Sequence, residues 1–259
     1  MPKRSGLFCD FDGTIAPLVT DPQAAQAAPG AIAALHELSG ELGIVAGISG
    51  RPAAFLAERL EMANYHSSLR AIGLHGLEEW SPEGKVVLRL AAVSWRPRVE
   101  AARDRLLATV PKGVQVEDKG YGITVHWRSL GSSGARLESV AARASGAVRA
   151  AGEEYGLVAH AGKASVELVL PLGIDKGSVV IELAAHVDRA CYLGDDLGDL
   201  LAFRALDRLS SASGLIALKL AVSGAEAPQE LVAEADLVLD GPLAATEFLM
   251  ALAHRLRGA

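Results

Sequence analysis

The sequence predicts an α/β protein built on a doubly wound parallel sheet with helices on both faces, interrupted by an α+β insertion. Three observations carry this. Short apolar, strand-like runs alternate with helical periodicity from the first residues onward. Near Trp95 that rhythm gives way to a helix-strand-strand-helix-strand-strand order, and after Pro171 the alternation resumes. A chain of 259 residues, half of them apolar, is enough for one large domain or two modest ones.

Taken in order, residues 6–11 read as a buried strand and residues 31–39 as a helix beginning just after Pro29-Gly30. Residues 43–48 form the next strand, ending at Ser49-Gly50-Arg51-Pro52, with an amphipathic helix through Phe55, Leu56 and Leu60 behind it. Residues 69–74 make a third strand that closes at His75-Gly76. Within the insertion the pattern predicts helices at about 97–109 and 135–155 and strands at 114–117, 122–127, 157–160 and 165–170. Turns at Lys119-Gly120 and Ala161-Gly162-Lys163 make each strand pair a hairpin. The domains are therefore 1–96 with 172–259, and the inserted 97–171. The second half of the core reads as helix 176–186, strand 190–193, helix 199–205, strands 215–222 and 237–239, and a closing helix 243–256. The Ser/Gly pieces at 131–134 and 210–214 read as loops.

Net charge is −6 with both signs spread along the chain, so no basic stripe is available to a nucleic acid or an anionic membrane, and neither is expected as a partner. No run approaches the ~20 apolar residues of a membrane span, and the N-terminus lacks the pattern of a secretory signal. A cytoplasmic protein is the expectation. Cys9 and Cys191 each lie in an apolar run and read as small buried hydrophobes rather than a disulfide. Nothing in the pattern fixes the oligomeric state.

The chemistry gathers at strand ends. Asp10-Phe11-Asp12-Gly13-Thr14 closes the first strand, and strand periodicity puts Asp10 and Asp12 on one side, at the carboxyl edge where parallel sheets bind ligands. Two carboxylates so close repel each other unless a cation or polar ligand sits between them, and oxygen ligands of this kind suit magnesium. Ser49 follows the second strand with a hydroxyl and neighbouring amides that can hold a phosphate oxygen. Lys176 stands at a helix start, where the dipole gives it nothing, and so makes sense as a cation aimed at an anion. Gly194-Asp195-Asp196 with Asp199 completes a second acidic cluster. Each feature alone has a plainer reading, as a capped turn, a helix start, a solvated lysine or an acidic helix N-terminus. Their joint occurrence favours a phosphate and metal site.

Those four segments resemble the motifs of the haloacid dehalogenase superfamily in order and spacing. The resemblance implies a Rossmann-like core, a magnesium cofactor, Asp10 as the group that attacks phosphorus, Asp12 as general acid and base, and Ser49 and Lys176 as further catalytic groups. It also implies a metal set drawn from Asp10, Asp12, Asp195, Asp196 and Asp199, and an insertion that acts as a cap. A more specific likeness, to the trehalose-6-phosphate phosphatase family, runs through Asp10 to Thr14, Ala16-Pro17, Asp21-Pro22, Ser49-Gly50-Arg51 and Gly73-Leu74-His75-Gly76-Leu77-Glu78. In the insertion it continues through Glu117-Asp118-Lys119-Gly120, His126-Trp127-Arg128 and Gly162-Lys163 with Glu167, and then Asp175-Lys176-Gly177. It implies a small-molecule sugar phosphate as substrate, met by Thr14, Gly50, Arg51, His75, Gly76, Glu117, Lys119, His126, Arg128, Lys163 and Glu167. The likeness departs at Gly198-Asp199-Leu200, where the family usually has Thr-Asp-Glu, and at Leu168-Val169-Leu170-Pro171, where it usually has Val-Arg-Pro. Phosphatases of the sucrose-phosphate or mannosyl-phosphoglycerate type, a phosphomutase and a sugar-phosphate binding protein are the alternatives.

Overall fold

The computed structural model describes residues 2–19, 21–131, 134–162, 164–224 and 228–258. It separates into two compact units, Met1–Val87 with Ile174–Ala259, and Leu88–Gly173. The smaller unit thus begins at Leu88 rather than 97 and ends at Gly173 rather than 171. The early start takes in a short helix, Leu90–Val93, that the sequence pattern does not signal.

The larger unit opens with β1 (Ser5–Cys9), α1 (Ala31–Glu41), β2 (Ile44–Ile48), α2 (Ala53–Arg59) and β3 (Arg70–Gly73). β4 (Glu78–Trp80) and β5 (Val86–Leu88) then extend the sheet, with β4 antiparallel to β3. Neither strand was legible in the sequence. Three half-buried residues, two of them glutamates, show no apolar alternation, and what pins β4 is polar. The Arg70 guanidinium grips Glu79 at 2.6 and 2.8 Å, while Glu78 accepts the Ala53 amide at the start of α2 at 3.0 Å.

The smaller unit comprises α3 (Leu90–Val93), α4 (Arg96–Thr109), β6 (Gln115–Asp118), β7 (Ile123–His126), α5 (Ala135–Tyr155), β8 (Val158–Gly162) and β9 (Ser165–Val169). Its strands pair antiparallel in the order β6-β7-β9-β8. Ile123, Val125, Val166 and Leu168 are buried, as are Val99, Ala102 and Leu106 of α4 and Ala144, Val148 and Ala151 of α5. Alternation leaves the opposite sheet face to polar side chains.

The larger unit resumes with α6 (Lys176–Ala184), β10 (Arg189–Gly194), α7 (Leu197–Ser213), β11 (Ile216–Ser223), α8 (Gln229–Glu234), β12 (Leu237–Asp240) and α9 (Gly241–Arg257). α7 starts earlier than the predicted 199, because Asp196 caps it and closes a reciprocal capping box with Asp199. It also runs through the serine stretch read as a loop. Ser211 and Ser213 turn their hydroxyls back onto the carbonyls of Asp207 and Leu209, and Gly214 ends the helix in the left-handed region at φ 74°.

Among the described residues the sheet order is β12-β11-β10-β1-β2-β3-β4-β5, with β1 flanked in parallel by β10 and β2. The chain moves outward from β1 to β2 and β3, then returns to the other side with β10, so the winding reverses at β1. Ligand sites of such sheets lie beyond the carboxyl ends of the strands at this reversal. Leu7, Phe8 and Cys9 are buried because both faces are covered, one by α1 and α9 and the other by α6 and α7. Both cysteines are free thiols, Cys9 buried and Cys191 half-buried.

His36 on α1 is buried, 5% exposed, and stacks on Tyr65 with centroids 3.8 Å apart. Its Nε2 donates to the Leu60 carbonyl at 2.7 Å, which leaves Nδ1 to accept from the Ser67 hydroxyl at 2.6 Å. The neutral ring suits this setting, and burial holds its pKa below the ordinary 6.5. A depressed pKa contributes stability that is complete above the unfolded value and is lost as pH falls from there toward the folded one. Urea midpoints at about pH 7 and about pH 5 are expected to drop further in the wild type than in His36→Gln; equal drops would remove His36 as the cause.

Candidate active site

Asp10 follows β1 directly, its amide donating to the Leu193 carbonyl of β10 at 3.0 Å. The chain then turns tightly: Ile15 and Ala16 both donate to the Phe11 carbonyl, at 3.1 and 2.9 Å. Gly13 adopts φ +84°, and a Cβ there would lie 2.0 Å from an oxygen of Asp195, so only glycine lets this turn meet the end of β10.

Lys176, 3% exposed, opens α6 and turns into the cluster. Its Nζ lies 2.7 Å from Asp199, 3.0 Å from Asp10 and 3.7 Å from Asp196. Asp199 is fully buried and saturated. One oxygen accepts from Lys176 and from the Tyr192 hydroxyl at 2.7 Å, the other from the amides of Asp195 and Asp196 at 2.9 and 3.0 Å. Asp196 caps α7, accepting the Asp199 amide at 3.1 Å. Thr14, expected at the substrate, is buried and donates to Asp195 at 2.9 Å.

Three carboxylates, of Asp10, Asp196 and Asp199, thus share one ammonium, and that of Asp195 lies close beside Asp10 and Asp199. Burial disfavours charge on Lys176, but Asp10, Asp196 and Asp199 outweigh it and hold the amine protonated well above its usual range. The surplus negative charge falls on the acids. Burial and then the neighbouring carboxylates raise Asp10, against the pull of Lys176. Asp195 is pushed up to about 8, first by burial and then by Asp199 and Asp196. Burial also raises Asp199. Asp196 goes the other way, because Lys176 and its bonds with Asp199 outweigh burial.

Such a surplus, carried on oxygen donors, fits a hard divalent cation. Among the described residues, ligand atoms of Asp10, Asp195 and Asp199 lie within 4.8 Å of one another. Asp199 already accepts four hydrogen bonds, whereas Asp10 and Asp195 keep more accepting capacity for an ion. Asp12 does not join this group. Its carboxylate is forked by Arg51 at 2.8 Å to each oxygen.

The loop after β2 brings Ser49, 2% exposed, whose Oγ accepts the Arg51 amide at 3.1 Å and keeps its own proton for donation. Gly50 makes room for His75, since a Cβ would sit 2.8 Å from the imidazole. Leu74 and His75 both lie in the left-handed region, at φ 48° and 57°, a costly conformation for side-chain-bearing residues. The Leu74 amide donates to the Arg51 carbonyl at 2.9 Å and the His75 amide to the Ser49 carbonyl at 3.0 Å, so β3 and the Ser49 loop hold each other. Gly76, at φ +116°, packs where a Cβ would meet Val179 of α6 at 2.3 Å.

In the smaller unit, strand register aligns Glu117, Thr124, Glu167 and His160 across one face, with Gln115, His126 and Ser165 in the next row. Lys119 donates to Glu167 at 2.8 Å, and His126 pairs with Glu117 at 2.8 Å. Arg128 opens the turn after β7. Asp118 instead ties the hairpin, accepting from Arg103 at 2.9 Å and from the Gly120 amide at 2.7 Å. Lys163 lies outside the described residues.

A profile of the trehalose-phosphatase family matches residues 8–235, which takes in every group named in both units. The chain belongs to this family. It is 35% identical over 265 residues to the trehalose-phosphate phosphatase of Mycobacterium avium, covering 98% of this chain and 63% of that one. To the enzyme of the same name from Mycobacterium ulcerans it is 36% identical over 214 residues, 78% of this chain and 52% of the relative. The chain therefore spans about half to three fifths of the length of these curated relatives. Its fold is similar to that of the C-terminal domain of a C. albicans trehalose-6-phosphate phosphatase, with a TM-score of 0.76 at 24% identity over 97% of this chain and 92% of that one.

Two residues beside the predicted groups, one in each unit, are not singled out by the sequence. Tyr192 looks like one more core aromatic inside an apolar strand; its place two residues before Gly194, on the alternation that leads into the acidic cluster, is the signal that could have found it. His160 shares its row with Glu167, a relation that only strand register reveals.

Proposed function

We propose that this protein is a cytoplasmic, magnesium-dependent phosphatase that hydrolyses a sugar phosphate, trehalose 6-phosphate foremost, through a phosphoaspartate on Asp10. One observation carries the reading: a buried carboxylate, Asp10, 3.0 Å from a buried lysine and beside Asp195, at the reversal point of the sheet. A carboxylate and a phosphate dianion repel, and a cation held by Asp10 and Asp195 would cancel that repulsion and stabilise charge on the transferring group. Lys176 supports the same charge from the other side. Ser49 can donate its hydroxyl proton to a phosphate oxygen. Asp12 gives a proton to the departing sugar oxygen and takes one from the water that cleaves phospho-Asp10.

The family membership supports the substrate class, and so does the polar face of the smaller unit's sheet. Glu117 and Glu167 can accept from sugar hydroxyls, while Lys119 and His126 can donate. A screen of phosphorylated sugars, trehalose 6-phosphate among them, with magnesium and with chelator, tests the reading. Metal-dependent phosphate release, greatest with trehalose 6-phosphate, is expected. A nucleotide or phosphoprotein far better than every sugar would overturn the substrate class. An isomeric sugar phosphate without free phosphate would mark a mutase, and tight binding without turnover a sensor.

A further inference from the structure

Asp12 stands apart from the carboxylates gathered on Lys176, and the reason is a single guanidinium. Arg51 Nε donates to one Asp12 oxygen and Nη2 to the other, both at 2.8 Å. Such a two-point fork fixes the plane of a carboxylate as well as its position. Arg51 is itself well supported. Its guanidinium lies 4.8 Å over the ring of Phe55, which meets Phe11, the residue between the two aspartates, edge to face at 6.3 Å. Its amide donates to Ser49 Oγ at 3.1 Å and its carbonyl accepts from Leu74 at 2.9 Å. The side chain is only 13% exposed.

An arginine reserved for the substrate phosphate gains little from being forked onto a carboxylate, whereas a support for that carboxylate needs this arrangement. We propose that Arg51 is the positioning residue for Asp12 and acts on the reaction through that carboxylate rather than by binding substrate. The inference rests on the phosphatase reading above. In the first step an Asp10 oxygen bonds to phosphorus, the ester P–O bond breaks, and the Asp12 proton passes to the leaving oxygen. In the second, the Asp12 carboxylate takes a proton from water, the water oxygen bonds to phosphorus, and the P–O bond to Asp10 breaks, giving phosphate and restoring both side chains. Leaving oxygen and attacking water occupy the same side of phosphorus in turn. One fixed carboxylate direction therefore serves both steps, and the fork supplies it.

The test compares wild type, Arg51→Lys and Arg51→Met on the best sugar phosphate of the screen and on 2,4-dinitrophenyl phosphate, whose leaving group departs without a proton. Rapid mixing follows release of the alcohol in the first turnover. On the sugar ester both variants are expected to lose on the order of 100-fold in first-turnover rate, with KM little changed. Lysine rescues poorly because it offers charge without the fork. On the dinitrophenyl ester the first turnover should stay near wild type and be followed by a slow phase, since water activation still needs Asp12. Arg51→Met added to Asp12→Asn should cost nothing further. Equal losses on both esters, a raised KM with kcat intact, or a double variant much worse than Asp12→Asn would overturn the proposal. Arg51→Lys keeps the comparison readable should Arg51→Met fold poorly. Wild type inert on both esters would instead sink the phosphatase reading, and this inference with it.

Discussion

Asp10→Asn is expected to abolish phosphate release from sugar phosphates, a loss on the order of 10,000-fold or more, in a protein that unfolds no earlier than wild type. The two halves of this expectation have separate causes. Loss of activity follows because an amide cannot attack phosphorus or carry the phosphoryl group. Retained stability follows from the charge count around Lys176. Asp10 is buried among Asp195, Asp196 and Asp199, with one ammonium between them, and burial already holds it above the ordinary carboxylate range. A site that already disfavours charge on Asp10 accepts a neutral amide there without added repulsion, and the isosteric side chain keeps the packing. Thermal unfolding in chelator alongside a phosphate-release assay checks both halves. Residual turnover would remove the phosphoaspartate mechanism, and a sharply lower midpoint would show that the charge count misjudges the cluster.

Lys176→Met should behave in the opposite way, losing activity and stability together. The methionine fills similar volume, but Asp10 and Asp199 lose their shared cation in a site where both are buried. Breaking a buried ion pair by removing one partner costs about 3–5 kcal/mol. Magnesium should restore part of this, because a divalent ion between Asp10 and Asp195 replaces some of the missing positive charge and binding to the folded state raises its stability. The measurement is the unfolding midpoint of the variant with chelator and with millimolar magnesium. A midpoint equal to wild type in chelator, or one indifferent to the metal, would contradict this account of the cluster.

Much of this site was legible in the sequence because strand ends announce themselves. Asp10, Ser49 and Asp195 each follow an apolar run, and a parallel sheet that reverses at β1 brings such ends together. Lys176 was legible for a different reason, as a cation with no local use at a helix start. What the sequence could not show is which partner each group chooses. Asp199 reads as one more metal carboxylate, and the sequence gives no sign that its two oxygens also accept from Lys176, Tyr192 and two amides. Arg51 and Thr14 read as substrate contacts, and they hold Asp12 and Asp195. Such pairings join residues far apart in the chain and have no periodic signature. The fold shows the same division. Strands with apolar runs were found, whereas β4, kept in place by Glu78 and Glu79, was not.

The left-handed pair Leu74–His75 has a mechanical consequence. Two successive residues with side chains resist this shape, and here their amides are fastened to the carbonyls of Arg51 and Ser49. The loop carrying the serine hydroxyl and the arginine fork is therefore braced against a stiff strut rather than hung from a slack tether. In the proposed reaction, the serine that meets the phosphate and the arginine that aims Asp12 would then shift as one part.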